Sequence, residues 1–182
     1  MLTIKIPATE IYNEEKNEFF NCRETELRLE HSLVSISKWE SKWKKPFINN
    51  GKMNHAELID YIRCMTITQN VPEDVYYCLS PKNLQEIGDY IQDKMTATWF
   101  NDRNQKPNTE VITSELIYYW MTAFNIPWEC QKWHLNRLLT LIRICSIKNQ
   151  SGNKKNKMSP GAIMRENTAL NKARRAKYNS KG

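Results

Sequence analysis

Cys130 and His134 stand four residues apart, a spacing that places two metal ligands on one face of a helix. A structural zinc site takes four ligands, and no second pair of ligand residues occurs at short spacing, so these two read as packing residues. His31 and His55 fall close to expected helix starts, where an imidazole is more often incidental than catalytic. The nearest carboxylate pairs are Glu14–Glu15, in a polar turn, and Glu73–Asp74, in the first turn of a helix. Both read as solvated, and neither meets the geometry that general acid–base chemistry requires. The sequence carries no P-loop, dinucleotide-binding, HExxH, GxSxG or EF-hand pattern. The expectation is a protein without enzymatic activity, cofactor or metal.

Contact chemistry is better represented than catalysis. There are six tryptophans. Trp39, Trp43, Trp99 and Trp120 lie on apolar stripes and are expected in the core. Trp128 and Trp133, five apart on an expected final body helix over 127–147, fall on different faces of it. At least one therefore lies off the main stripe, as a candidate contact anchor. Positive charge is concentrated at the C-terminus. Residues 151–182 hold nine Lys and Arg and one acid, a net +8, which leaves 18 bases and 19 acids, a net −1, for residues 1–150. Such a tail can grip phosphates, dock on an acidic protein or serve only as a solubilising end, and composition leaves all three open. Of the aromatic residues that single-strand binders interleave with cations, the tail has Tyr178 alone.

Periodicity assigns the elements that would position these residues. Leu2, Ile4 and Ile6 alternate with polar neighbours until Pro7, a strand pattern. Residues 13–17 form a polar turn between Ile11-Tyr12 and Phe19-Phe20, and alternation returns over 24–29, which predicts two or three antiparallel strands. From Leu33 the period changes to that of a helix, through Ile36, Trp39 and Trp43, until Lys45-Pro46 stops it. Asn54 with Glu57 is a capping-box pair, opening a helix with the stripe Leu58, Tyr61, Ile62 and Met65. Pro72 with Glu73 and Asp74 opens a short helix. Ser80-Pro81 opens a longer one, with Leu84, Ile87, Ile91, Met95 and Trp99 on one side. Residues 101–110 read as a loop. A helix near 113–124 is expected to bury Leu116, Ile117, Trp120, Met121 and Phe124. Leu135, Leu138, Leu139, Ile142 and Cys145 make the most regular stripe of the chain.

These patterns predict an α+β, mostly helical fold: an N-terminal antiparallel β-hairpin or small sheet on a five- to six-helix body, with a basic C-terminal tail. The expected body spans 1–148, and 149–182 is expected to be a flexible linker plus a marginally helical tail from Ser159-Pro160 to about Tyr178. The length of 182 residues and the 40% hydrophobic content suit one domain with an appendage. Five scattered cysteines with no CxxC pair point to a reducing compartment, Cys64, Cys78 and Cys145 reading as small buried hydrophobes. Without an apolar leader or an 18-residue apolar run, the chain is expected to be soluble and intracellular.

Several blocks resemble a family of small proteins encoded among bacteriophage tail genes. They are Leu29-Glu-His-Ser-Leu-Val-Ser-Ile-Ser-Lys-Trp-Glu-Ser-Lys-Trp43, Met95-Thr-Ala-Thr-Trp-Phe100, Thr113-Ser-Glu-Leu-Ile-Tyr-Tyr-Trp120 and Asn125-Ile-Pro-Trp-Glu-Cys130. Trp133-His-Leu-Asn-Arg-Leu-Leu-Thr-Leu-Ile-Arg143 and the ending Leu170-Asn-Lys-Ala-Arg-Arg-Ala-Lys-Tyr-Asn-Ser-Lys-Gly182 complete the set. The resemblance implies a tail assembly chaperone of a long-tailed phage: non-catalytic, working in the host cytoplasm, binding the tape measure protein and other tail proteins while the tube polymerises, with self-association possible. Alternatives are a permanent tail or neck component of the virion and a small nucleic-acid binder. Partner contacts are then expected at Trp128, Trp133, Ile163, Met164, Arg165, Leu170, Lys172, Arg174, Arg175 and Lys177.

Overall fold

A computed structural model describes residues 1–13, 18–48, 53–100, 110–155 and 160–178. The fold is α+β and mostly helical, with a small antiparallel N-terminal sheet. The chain divides into two compact units, Met1–Ile142 and Arg143–Gly182.

The first unit opens with strands β1 (Leu2–Ile6), β2 (Thr9–Asn13), β3 (Glu18–Cys22) and β4 (Thr25–Leu29). β1 pairs with β4 and β2 with β3, in one unslipped register: Leu2 faces Leu29, Ile6 faces Thr25, Thr9 faces Cys22 and Asn13 faces Glu18. Four short strands thus make one long two-stranded ribbon. Its ladder is interrupted at Pro7, which has no N–H to donate. The alternation read from the sequence sorts the faces, with Ile4, Ile6, Leu27 and Leu29 buried. The edge of β4 is covered by the segment after the second helix: Ile67 N–H donates to Arg28 O at 2.8 Å and Glu30 N–H to Met65 O at 2.9 Å.

Helix α1 (Leu33–Trp43) starts at a capping box formed by Ser32 and Ser35 and ends at Lys44, whose φ of 55° closes the last turn. It buries Leu33, Ile36 and Trp39, with Trp43 half-buried. Helix α2 (His55–Met65) has the predicted Asn54–Glu57 capping box and buries Tyr61, Ile62 and Met65. Aromatic rings join these helices: Phe47 lies 4.2 Å from Tyr61 and 5.5 Å from Trp39 between centroids. Glu40 ties α1 to more distant chain. Its buried carboxylate accepts the N–H of Phe47 and that of Ser114, each at 2.7 Å. Ser114 opens α4 (Ser114–Ala123), so a side chain of α1 satisfies a first-turn donor of a helix 74 residues further on.

Several expectations about the helices are corrected. A 3₁₀ turn occupies Glu73–Cys78, and α3 (Pro81–Gln92) begins at the predicted Ser80-Pro81 cap but stops before Met95 and Trp99. The reason is tertiary: Asn136 Nδ2 donates to Ile91 O (3.0 Å) and Asp93 O (2.7 Å), and the His134 ring bonds Tyr90 O (2.9 Å), so the terminal carbonyls of α3 are already taken. Trp99 is 75% exposed rather than core. In α4, Ile117 and Met121 are buried, whereas Leu116, Trp120 and Phe124 are only half-buried. The final helix does not begin at Pro127. A 3₁₀ turn covers Trp128–Lys132, Trp133 is extended, and α5 runs from Leu135 to Lys155. His134 forms a β-bridge with Ser32, and Leu135 N–H donates to His31 O at 2.8 Å, which holds the preceding backbone out of a helix.

The second unit contains the end of α5 and helix α6 (Pro160–Tyr178). α5 continues through Asn149–Lys155, where composition predicts a link. The expected cap residue Ser159 and the turn over 14–17 lie outside the described residues.

Candidate functional site

Three places hold the residues that sequence reasoning singled out. The first is a closed polar cluster where α1, α2, α3 and α5 meet. Burial and the neighbouring His134 drive the His31 imidazole down to about 3, so it is neutral at physiological pH. Its Nδ1 lies 2.5 Å from the Tyr61 hydroxyl. Burial pushes the Tyr61 phenol up, so it is a neutral hydroxyl paired with the imidazole nitrogen. His134 bonds a backbone carbonyl through Nε2, which fixes the proton on that nitrogen. Its Nδ1 is buried with no hydrogen-bond partner among the described residues. Burial and a hydrogen bond with Glu30 raise the Tyr90 phenol, which donates to Glu30 Oε1 at 2.5 Å.

The cluster joins residues that the sequence keeps far apart, and all but His134 Nδ1 of the groups named here find a partner within it. Cys130, expected to share a helix face with His134, is buried in the 3₁₀ turn before α5. Among the described residues no group of three His, Cys, Asp or Glu side chains is arranged to hold a metal ion. His55 is exposed at the start of α2, and Glu73 and Asp74 are exposed as expected, Glu73 lying 3.5 Å from Arg63. Cys64 and Cys145, expected to be buried, are half-exposed.

The second place is an aromatic edge of the first unit. Trp128 is 55% exposed and lies against Tyr118 with 5.6 Å between centroids. Tyr118 is anchored through a 3.1 Å bond to Gln131. Trp133 is half-buried beneath the Arg137 guanidinium, 4.2 Å from its ring centre. One tryptophan therefore faces solvent, as the spacing suggested, although they belong to a 3₁₀ turn and its cap rather than to two faces of a helix.

The third place is α6. Met164 is 73% and Leu170 51% exposed, and Arg165, Lys172, Arg174 and Arg175 are exposed. Ile163 and Lys177 lie in the same helix. Arg165, Lys172 and Arg175 follow one another at steps of seven and three residues, a single stripe on a helix, with Leu170 well round the cylinder from it. Sequence reasoning located this surface and the exposed tryptophan. It missed the His31–Tyr61 and His134–Tyr90 contacts, whose only local trace is a His-Ser pair immediately before the apolar stripe of α1.

No family model, curated protein or solved structure matches the chain. No helix among the described residues is long and apolar enough to cross a membrane.

Proposed function

We propose that this chain is a non-catalytic tail assembly chaperone of a long-tailed phage, which holds the tape measure protein through its basic C-terminal helix in the host cytoplasm. The observation that carries the reading is the exposure of α6. Nineteen residues of helix leave Met164 and Leu170 open to solvent, as they do Arg165, Lys172, Arg174 and Arg175. A helix this polar gains little from standing alone, and a mixed apolar and basic surface suits an amphipathic, acidic partner helix. The blocks from Leu29 to Trp43 and from Leu170 to Gly182 add the resemblance to phage tail proteins. Trp128 offers a further apolar anchor.

The test is co-expression of the tape measure protein with the full chain and with a chain ending at Lys155, which removes α6 but leaves α5 whole. The full chain is expected to co-purify with the tape measure protein and the shortened chain to lose it. A shortened chain that loses DNA retention while keeping the tape measure protein would favour the nucleic-acid reading instead. The full chain among the proteins of purified virions would favour a permanent tail or neck component.

A further inference from the structure

The β1–β4 end of the ribbon has one covered edge and one open edge. On β4, Arg28 N–H donates to Thr68 Oγ1 (2.9 Å) and Arg28 O accepts from Ile67 N–H (2.8 Å). Glu26 O accepts from Thr68 Oγ1 at 3.3 Å. Both residues therefore turn their backbone groups away from β1. Their register partners are Thr3 and Lys5, and in an antiparallel ladder the partner of an outward-facing residue faces outward too. The N–H and C=O groups of Thr3 and Lys5 thus point off the opposite edge, where no strand pairs with them among the described residues. That edge forms one wall of a cleft of about 650 Å³, and the first turn of α3 forms the other. The cleft has a cation on each wall, Lys5 and Lys82, both exposed and neither in an ion pair among the described residues. Its single acid is Glu86. Asn83, 8% exposed, lines it as well. Its Oδ1 accepts Ser80 N–H (3.1 Å) and the Ser80 hydroxyl (2.6 Å), which leaves Nδ2 a donor with no partner among the described residues.

We propose that this cleft is a docking site for an extended acidic segment of a partner protein, which adds a strand to the open edge of β1. One residue of the segment lies opposite Thr3 and the next but one opposite Lys5, exchanging N–H and C=O bonds with each. Pro7 has no N–H to offer, so the paired stretch is short and side chains must supply part of the affinity. Carboxylates of the segment meet Lys5, Lys82 and Asn83 Nδ2, at the positive end of the α3 dipole. The charge decides the occupant. A basic segment would bring like charge to the two lysines, and a helix has no free backbone groups to pair with the edge. The site lies wholly within the first unit and works independently of α6.

The test titrates the full chain, nitrogen-labelled for NMR, with the capped peptide acetyl-Val-Glu-Val-Glu-Val-amide. Saturable shifts are expected at the Thr3, Lys5 and Lys82 amides and at the Asn83 side-chain amide, with slowed hydrogen exchange at Thr3 and Lys5. Two further peptides carry N-methyl groups on the Val amides or on the Glu amides. Strand addition uses alternate amides, so one set is expected to weaken binding about 10-fold or more and the other by about 2-fold at most. Replacing both Glu by Lys in the peptide is expected to weaken binding about 10-fold, and Lys82→Gln in the protein about 2- to 5-fold. Absence of saturable shifts, shifts confined to other residues, equal effects of the two methylation patterns, a lysine peptide that binds as tightly, or unchanged affinity in Lys82→Gln each overturns the proposal. The same shifts on concentrating the chain alone would give the edge to a second copy and overturn it too. The methylated peptides probe the unaltered chain, so the result does not depend on any variant folding.

Discussion

The imidazoles of His31 and His134 cross edge to face, 5.0 Å apart between ring centroids. Each holds a different neighbour: His31 the phenol of Tyr61 in α2, His134 the last turn of α3 through Tyr90 O. The pair sits beside the backbone bridge from Ser32 to His134. α1, α2, α3 and the start of α5 are therefore fastened at one point, and the His31 ring there is neutral.

Acid should loosen that fastening. Between the ordinary imidazole value of 6.5 and the folded value of about 3, the unfolded chain binds a proton that the folded chain excludes. Stability therefore falls as pH drops below about 6.5 and this contribution levels off near 3. The loss from His31 alone reaches about 2 kcal/mol at pH 5, at about 1.4 kcal/mol per pH unit. His31→Gln, which retains an uncharged hydrogen-bonding group for Tyr61, is expected to flatten urea-unfolding stability between pH 6.5 and 5. Parallel slopes for the two proteins would contradict this assignment. Glu57 acts in a different window: hydrogen bonds from Lys45 and from Asn54 N–H hold its carboxyl below the usual 4.5, so its contribution disappears only at still lower pH.

Glu40→Ala should be among the most damaging single changes in the body. It leaves the N–H groups of Phe47 and Ser114 without their shared acceptor, at a cost of about 2–4 kcal/mol. Denaturant midpoints check this, and the neighbouring exposed change Lys44→Ala is expected to cost far less than Glu40→Ala.

Gly88→Ala should stabilise the protein. Gly88 lies inside α3, and a Cβ added there meets nothing within 4 Å. The gain is about 0.5–1 kcal/mol, chiefly from a less disordered unfolded chain. A lowered melting temperature would show that the position tolerates no side chain.

On α6, apolar losses should outweigh single charge losses. Met164→Ser with Leu170→Ser is expected to weaken tape measure protein capture more than 10-fold, since both side chains stand exposed for contact. Arg174→Ala alone should weaken it by about 5-fold at most, because an exposed ion pair contributes about 0–1 kcal/mol. Pull-down titrations of the two variants decide the order. The reverse order would make the tail an electrostatic grip.

Local chemistry written in the sequence determined much of this protein. Alternation at Ile4, Ile6, Leu27 and Leu29 set the buried face of the ribbon, because side chains along a strand must alternate. Asn54 with Glu57 and Ser80 with Pro81 set two helix starts, because those side chains occupy donors within their own first turn. The exposed basic helix over Pro160–Tyr178 was legible from its charge and its few apolar residues. Tertiary structure alone decided where α3 ends, where α5 begins and which polar groups meet. Asn136 and His134 bond the final carbonyls of α3, and Ser32 bridges His134. A backbone N–H or C=O has one main partner to choose, and at these points the winning partner comes from a distant element. Residue spacing cannot show that choice, because it depends on which surfaces the buried stripes bring together.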